Sequence, residues 1–378
     1  MIGRSSNDCE ECTSRSWLII DDSEFQPATG VYLPIVMERR DFLQTGLLAG
    51  AAAPFQDVAS LEQGEGPTED QIQDLFGEDV TVEEHQEGTP HEGKVLAAIQ
   101  PHSDDIPLFA AGTVAKLIDE GYEGHLIRTS NDDHAGSGET VGEVIRNNEK
   151  DNEKVADVLG LEDTYDLYNR NHRMDEIGIQ ELKARLIFLF RLLEVDTIVC
   201  YDPWAHHEEN PDHYITAKAV EAARWMAGGD MDYPEHFAAG LEPHYVSERY
   251  YFGRFPRRNA QYVNRIVDIS QVIDTKVKSN RVNVTQGPAG EAGARLRRQL
   301  AKEGKKLPLL GEDDETANMN YIKHILLDID SLRLRGVLSD KKIGEAYGVG
   351  WGEAMHYMGP SETPSQLEKY IAENAVST

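Results

Sequence analysis

From Lys94 onward, short apolar runs alternate with longer stretches of helical periodicity, and this alternation narrows the possible fold more than any other feature. Val95 to Ile99 is a brief apolar run closed by a turn at Pro101, the pattern of a buried parallel strand. Beyond it Ala110, Val114, Leu117 and Ile118 recur at helical spacing, so one helix is expected from Asp105 to a C-cap at Gly121. The rhythm then repeats: a strand over His125 to Ser130, a polar loop NDDHAGSGE, and a helix ending at Leu159. A strand over Tyr165 to Tyr168, a helix over Ile177 to Leu193 and a buried strand over Asp196 to Tyr201 follow. Strands taking turns with helices predict an α/β fold, a Rossmann-like, doubly wound and mostly parallel sheet. In such sheets, sites are built at the carboxyl ends of the strands.

Two of these strand ends carry metal-competent residues. In the first, PHSDD, His102 and Asp105 stand three apart, so an imidazole and a carboxylate can reach one divalent ion while Asp104 stays free. A free carboxylate beside a metal-bound water is placed to act as a base. The same turn also suits a plain helix start, with Ser103 or Asp104 as cap and the acids on the positive end of the dipole. The strand ending at Tyr201 leads into DPWAHHEENPDH and then a helix opened by Pro211, with Ile215, Ala219, Ala222 and Met226 along one face. His213 falls in the first turn of that helix. Two strand ends of one sheet can converge on one ion, giving His102, Asp105 and His213 with a position left for water.

A formal charge of -30 argues against association with nucleic acid or anionic lipid, which would repel it. The charge is uneven, because Glu62 to Glu92 holds eleven acidic residues and no Lys or Arg. No phosphate-cradling GxGxxG follows the first strand. Cys9, Cys12 and Cys200 cannot make a disulfide framework, and Cys200 reads as a buried free thiol. Ahead of the alternating region, residues 1–59 read as a leader with a twin-arginine-like export signal: Arg39 and Arg40, then Phe42, Leu43 and a weakly apolar run to Ala53. Met37 is the expected start and export to the periplasm or cell exterior the expected fate, with a cytoplasmic protein as the alternative. The apolar run is too short to span a membrane stably. Residues 60–92 read as an acidic linker in which Ile72, Leu75 and Phe76 form one docking turn.

The pairing of PHSDD with NPDH resembles the PIG-L/LmbE-type zinc-dependent de-N-acetylases, in which a strand ends in an HPDDE-like motif and HPDH precedes a later helix. The likeness extends to Arg146 and Glu149 in VIRNNEKDNEKVADVLGL, as the family's R-x-x-E, and to RIVDISQVIDTKVKSNRVNVTQ as its closing strand and helix. It implies a catalytic domain over residues 93–290 and a helical extension over 291–378 that packs on it, with GWGEAMHYMG returning near the catalytic domain. It also implies zinc on His102, Asp105 and His213, Asp104 as general base, and Arg146 on the substrate side, where Asn210 and Asn171 are expected as well. The reaction implied is hydrolysis of an N-acetyl group on an amino sugar or glycoconjugate.

The chain departs from the family where HPDH begins, because Asn210 replaces the first His. Asn donates a hydrogen bond to an oxyanion but transfers no proton. His206, His207 or protonated Asp104 is then left to supply the acid, and LYNRNHRMDE offers Asn171, His172 and Asp175 without a clear acidic match. A metallohydrolase of another amide or ester, or a non-catalytic sugar-binding member, remains the alternative.

Overall fold

The computed structural model describes residues 68–378 except 78, 206, 255–259, 288, 330–337, 361–364, 377 and 378. The expected leader, Met37 and the twin-arginine motif lie outside the described residues, as does His206. What is described belongs to one compact unit, Gly66–Thr378.

An eight-stranded sheet forms its centre, built from β1 (Thr81–Glu83), β2 (Val95–Gln100), β3 (Glu123–Ser130), β4 (Asp163–Asn169), β5 (Thr197–Tyr201), β6 (Glu248–Phe252), β7 (Arg265–Asp268) and β8 (Gly352–Met358). Their order is β1-β7-β8-β6-β5-β2-β3-β4. All pairings are parallel except those of β8, which runs antiparallel to both β6 and β7. Strands β2 and β5 are buried almost throughout, as expected of continuous apolar runs covered by helices on both faces. From β2 the chain adds strands first on the β3 side and later on the β5 side, so the crevice between β2 and β5 is the point where strand order reverses.

The helices that frame this crevice follow from local sequence. In α4 (Val141–Leu159) a reciprocal Thr140/Glu143 capping box starts the helix, and Gly160, at φ 74°, ends it in the left-handed conformation. The helix α5 (Ile179–Leu192) buries Leu182, Leu186, Ile187, Leu189 and Phe190. In α6 (Pro211–Ala227) the cap is Asn210, with Pro211 at the first turn, where its missing N–H costs nothing.

Three sequence expectations need correction. The single helix from Asp105 to Gly121 is broken into α2 (Asp105–Phe109) and α3 (Ala111–Asp119) at Ala110, whose φ is −143°. The break opens N–H groups at the start of α3, and the Glu353 carboxylate of β8 accepts from Gly112 N at 2.9 Å and Thr113 N at 2.7 Å. Residue 112 must be Gly, since a Cβ there would lie 2.6 Å from Ile269. The acidic linker carries a helix and a short strand. A helix, α1 (Glu69–Phe76), opens on a Thr68/Gln71 capping box and buries Ile72 and Phe76 against a second small core that includes Ile266 and Ile343. The three-residue β1 behind it is held through Glu83, which meets Lys116 at 2.9 Å and Arg265 at 2.6 Å.

The third correction is at the C-terminal end. Beyond 290 the chain is largely helical, as expected, with helices at Ala292–Lys302, Asp314–Tyr321, Asp340–Ala346 and Gln366–Asn374. A wider-turned helical stretch, Ile322–Ile329, continues the second of these. Yet β8 enters the sheet between β6 and β7, so the sheet is completed by residues well past 290. Among the described residues no helix is long and apolar enough to cross a membrane.

Candidate metal centre

The turn leaving β2 and the first turn of α6, which follows β5, meet above the crevice. His102 Nδ1 lies 3.1 Å from His213 Nε2 and 3.3 Å from Asp105 Oδ2, and His213 Nε2 lies 3.5 Å from Asp105 Oδ1. All three side chains are buried, and their ligand atoms fall within 4.8 Å of one another. This is the set that the two motifs predict.

Neighbouring residues fix how these groups point. His102 Nε2 is 3.0 Å from Asp212 Oδ2, and that carboxylate also accepts from the backbone of His172 at 2.6 Å and Met174 at 3.2 Å. A proton committed to Asp212 leaves the lone pair of His102 Nδ1 facing the centre, which is how carboxylates orient metal-binding imidazoles. The Tyr201 hydroxyl donates to Asp105 Oδ1 at 2.7 Å, and the Tyr201 ring stacks on His213 at 4.3 Å between centroids. Burial disfavours the His102 imidazolium, but hydrogen bonds to Asp105 and Asp212 outweigh it and carry the group well above the ordinary imidazole range. Burial likewise raises Asp105, and His213 and His102 more than reverse this, holding the carboxylate below its usual range. A buried nest of carboxylates that favours positive charge, with two imidazoles and one carboxylate converging, fits a divalent cation with borderline-soft preferences such as zinc.

Asp104 stands apart from this set. Half-buried at the N-terminus of α2, it makes no capping hydrogen bond. Burial and repulsion from Asp105 push its carboxyl up to about 7. Ser103 does not cap the helix either, because its hydroxyl donates to Asn148 Oδ1 and accepts from Gln286 Nε2, each at 3.0 Å. The plain helix-start reading of PHSDD therefore fails on both candidate caps.

The remaining predicted residues divide. Asn210 Oδ1 accepts from Asp212 N at 3.0 Å and caps α6, while Nδ2 lies 3.3 Å from His213 Nε2 and faces the centre. Asn171 is buried, and neither atom of its side-chain amide has a hydrogen-bond partner. Its backbone N–H donates to Asp133 at 2.9 Å, just before the His172 amide that serves Asp212. His207 is exposed on its loop, and Arg146 is exposed on α4. Among the α4 side chains that reach inward are Asn148, on Ser103, Asp151, which accepts from Val284 N and Thr285 N, and Asn152, 2.8 Å from Gln100. Sequence reasoning passed over Asp212, Tyr201 and Glu208. For Asp212 a signal was present: a carboxylate next to a candidate ligand at a helix start is as suited to orient another imidazole as to serve the dipole.

Residues 97–224 match the sequence family described as PIG-L, GlcNAc-PI de-N-acetylase. That stretch includes His102, Asp104, Asp105 and His213. The chain is similar to the diacetylchitobiose deacetylase of Thermococcus kodakarensis, 27% identical over 199 residues that make up 52% of this chain and 71% of that one. Its fold is similar to that of the N,N'-diacetylchitobiose deacetylase from Pyrococcus horikoshii, with a TM-score of 0.52 and 23% identity over 70% of this chain and 84% of that one.

Proposed function

Because the chain carries a PIG-L family domain, and PIG-L proteins are de-N-acetylases that hydrolyse amides, we propose that it removes an N-acetyl group from an amino sugar or glycoconjugate with zinc as its metal. The observation that carries this reading is the convergence of His102, Asp105 and His213 at the strand-order reversal, with the uncommitted carboxylate of Asp104 beside them.

His102, Asp105 and His213 would hold the ion, which supplies polarisation of the acyl carbonyl and a water of lowered pKa. Asp104, the carboxylate beside the ligand set that caps nothing, takes the proton from the attacking water. Asn210 keeps Oδ1 in the helix cap and turns Nδ2 toward the centre, where it donates to the oxygen that gains charge as the carbonyl is attacked. The proton for the departing amine comes from Asp104 itself, or from His206 or His207 on the loop before Asn210. Asn171 offers a buried donor and acceptor to sugar hydroxyls, and exposed Arg146 is left to meet the outer part of the substrate.

A panel tests the reaction class. Incubated with N-acetylated hexosamines and chito-oligosaccharides, an O-acetyl ester and an N-acetyl peptide, the protein is expected to release acetate and an equal amount of free amine from the sugars. Faster release from the ester or the peptide would mark a different hydrolase, and no release from any compound by metal-loaded protein would mark a binding protein.

A further inference from the structure

His213 is fixed from two directions. Its ring plane is set by the stack on Tyr201, with 17° between the planes. The same stack is kept by a half-turn about Cβ–Cγ, which would put Cε1 in place of Nε2 at the centre, so the flip must be decided at the ring edge. On the edge away from the centre, Nδ1 is buried without a well-aligned hydrogen bond, and an acceptor, Glu208 Oε1, lies 3.3 Å from it. The same oxygen is 3.1 Å from Arg254 Nη2 and accepts the backbone N–H of Asn210 at 2.9 Å. Glu208 has only 4% of its side chain exposed. Burial favours its neutral form, but His213 and Arg254 outweigh this and keep the carboxylate below its usual range.

Resting on the metal-hydrolase reading above, we propose that Glu208, held by Arg254, is the positioning residue that sets the tautomer and ring flip of His213, with Nδ1–H toward Glu208 and Nε2 toward the metal. His102 is oriented by Asp212 in the same way, so each imidazole has its own carboxylate partner, both supplied from the loop after β5 and the first turn of α6. Arg254 follows directly on the end of β6, two residues beyond Phe252, so the pair ties the His213 loop to a strand that bears no ligand. The AHHEEN loop thereby contributes to metal affinity as well as to whatever its histidines do.

The test uses the full chain and two metals, zinc for affinity by competition with a chromophoric chelator and cobalt(II) for ligand geometry by its visible spectrum. Glu208→Ala is expected to weaken zinc binding by about 10–100-fold and to shift the cobalt bands, the size of loss usual when a partner of a ligating histidine is removed. Glu208→Gln, an isostere whose carbonyl still accepts from Nδ1–H, is expected to recover most of the affinity, and Arg254→Met to fall between. Should the alanine variant fail to fold, the glutamine and methionine variants carry the test. Unchanged affinity and an unchanged cobalt spectrum in these variants would overturn the role of Glu208 while leaving the metal centre standing. A wild-type protein that takes up neither metal would instead overturn the reading of the centre, and the proposal with it.

Discussion

Asp104→Asn is expected to retain the metal and to lose about 10²–10⁴-fold in turnover, the range usual for removal of a positioned general base. The two adjacent carboxylates of PHSDD are separated by their surroundings. Asp105 is bound to Tyr201 and the His102 backbone and lies among the imidazoles, whereas Asp104 makes no side-chain cap and stays half-buried. Substituting Asn at 104 keeps the shape and removes the basic oxygen, so affinity for the ion should change little. Asp105→Ala should instead lose metal and activity together. Elemental analysis of both purified variants beside kcat separates the roles, and equal metal loss from the two would show them misassigned.

The largest expected effect on stability lies away from the centre, at Glu353. Only 1% exposed, it accepts from Gly112 N, from Thr113 N at 2.7 Å and from the Thr113 hydroxyl at 2.6 Å. It also meets fully buried Lys276 Nζ at 2.6 Å, and Lys276 pairs with Asp340 at 2.6 Å. Removing one partner of a buried ion pair costs about 3–5 kcal/mol, because the remaining charge is left uncompensated. Glu353→Ala should therefore lower unfolding free energy by about that amount. Replacing Lys276 and Glu353 together by Met should recover only part of it, because the two charges leave together while Asp340 and the Gly112 and Thr113 N–H groups lose their partners. Denaturant unfolding of the single and double variants checks this. A single variant as stable as the wild type would show that β8 is not what holds the start of α3.

Both halves of the candidate metal centre were legible because each is an apolar strand run that stops at a cluster of His and acid, a contrast visible without coordinates. The same contrast marked β2, β3, β4 and β5, while the repeat of apolar positions marked α4 and α5. What escaped did so for physical reasons. Strand β8 carries Gly352, Glu353 and Ala354 where a buried strand would show branched apolar residues, and Glu353 is compensated only by groups far away in sequence. The break at Ala110 is stabilised by that same distant carboxylate, whereas the local apolar spacing runs on unbroken across it. Asp212 and Glu208 looked like an ordinary helix start and an acidic loop until the fold set them against His102 and His213. Arg146, singled out by motif spacing, is exposed on α4, whose buried polar residues are Asn148, Asp151 and Asn152.

One catalytic divalent ion held by His102, Asp105 and His213 is the premise of the proposed reaction. It is tested most directly by stripping the protein with a chelator, returning zinc in measured steps and following acetate release from an N-acetylated chito-oligosaccharide. Activity should vanish on stripping and return in proportion to zinc, reaching its plateau at one ion per chain, while His213→Ala neither takes up the ion tightly nor recovers. Acetate release that survives complete stripping, or that zinc restores equally in His213→Ala, would contradict the account.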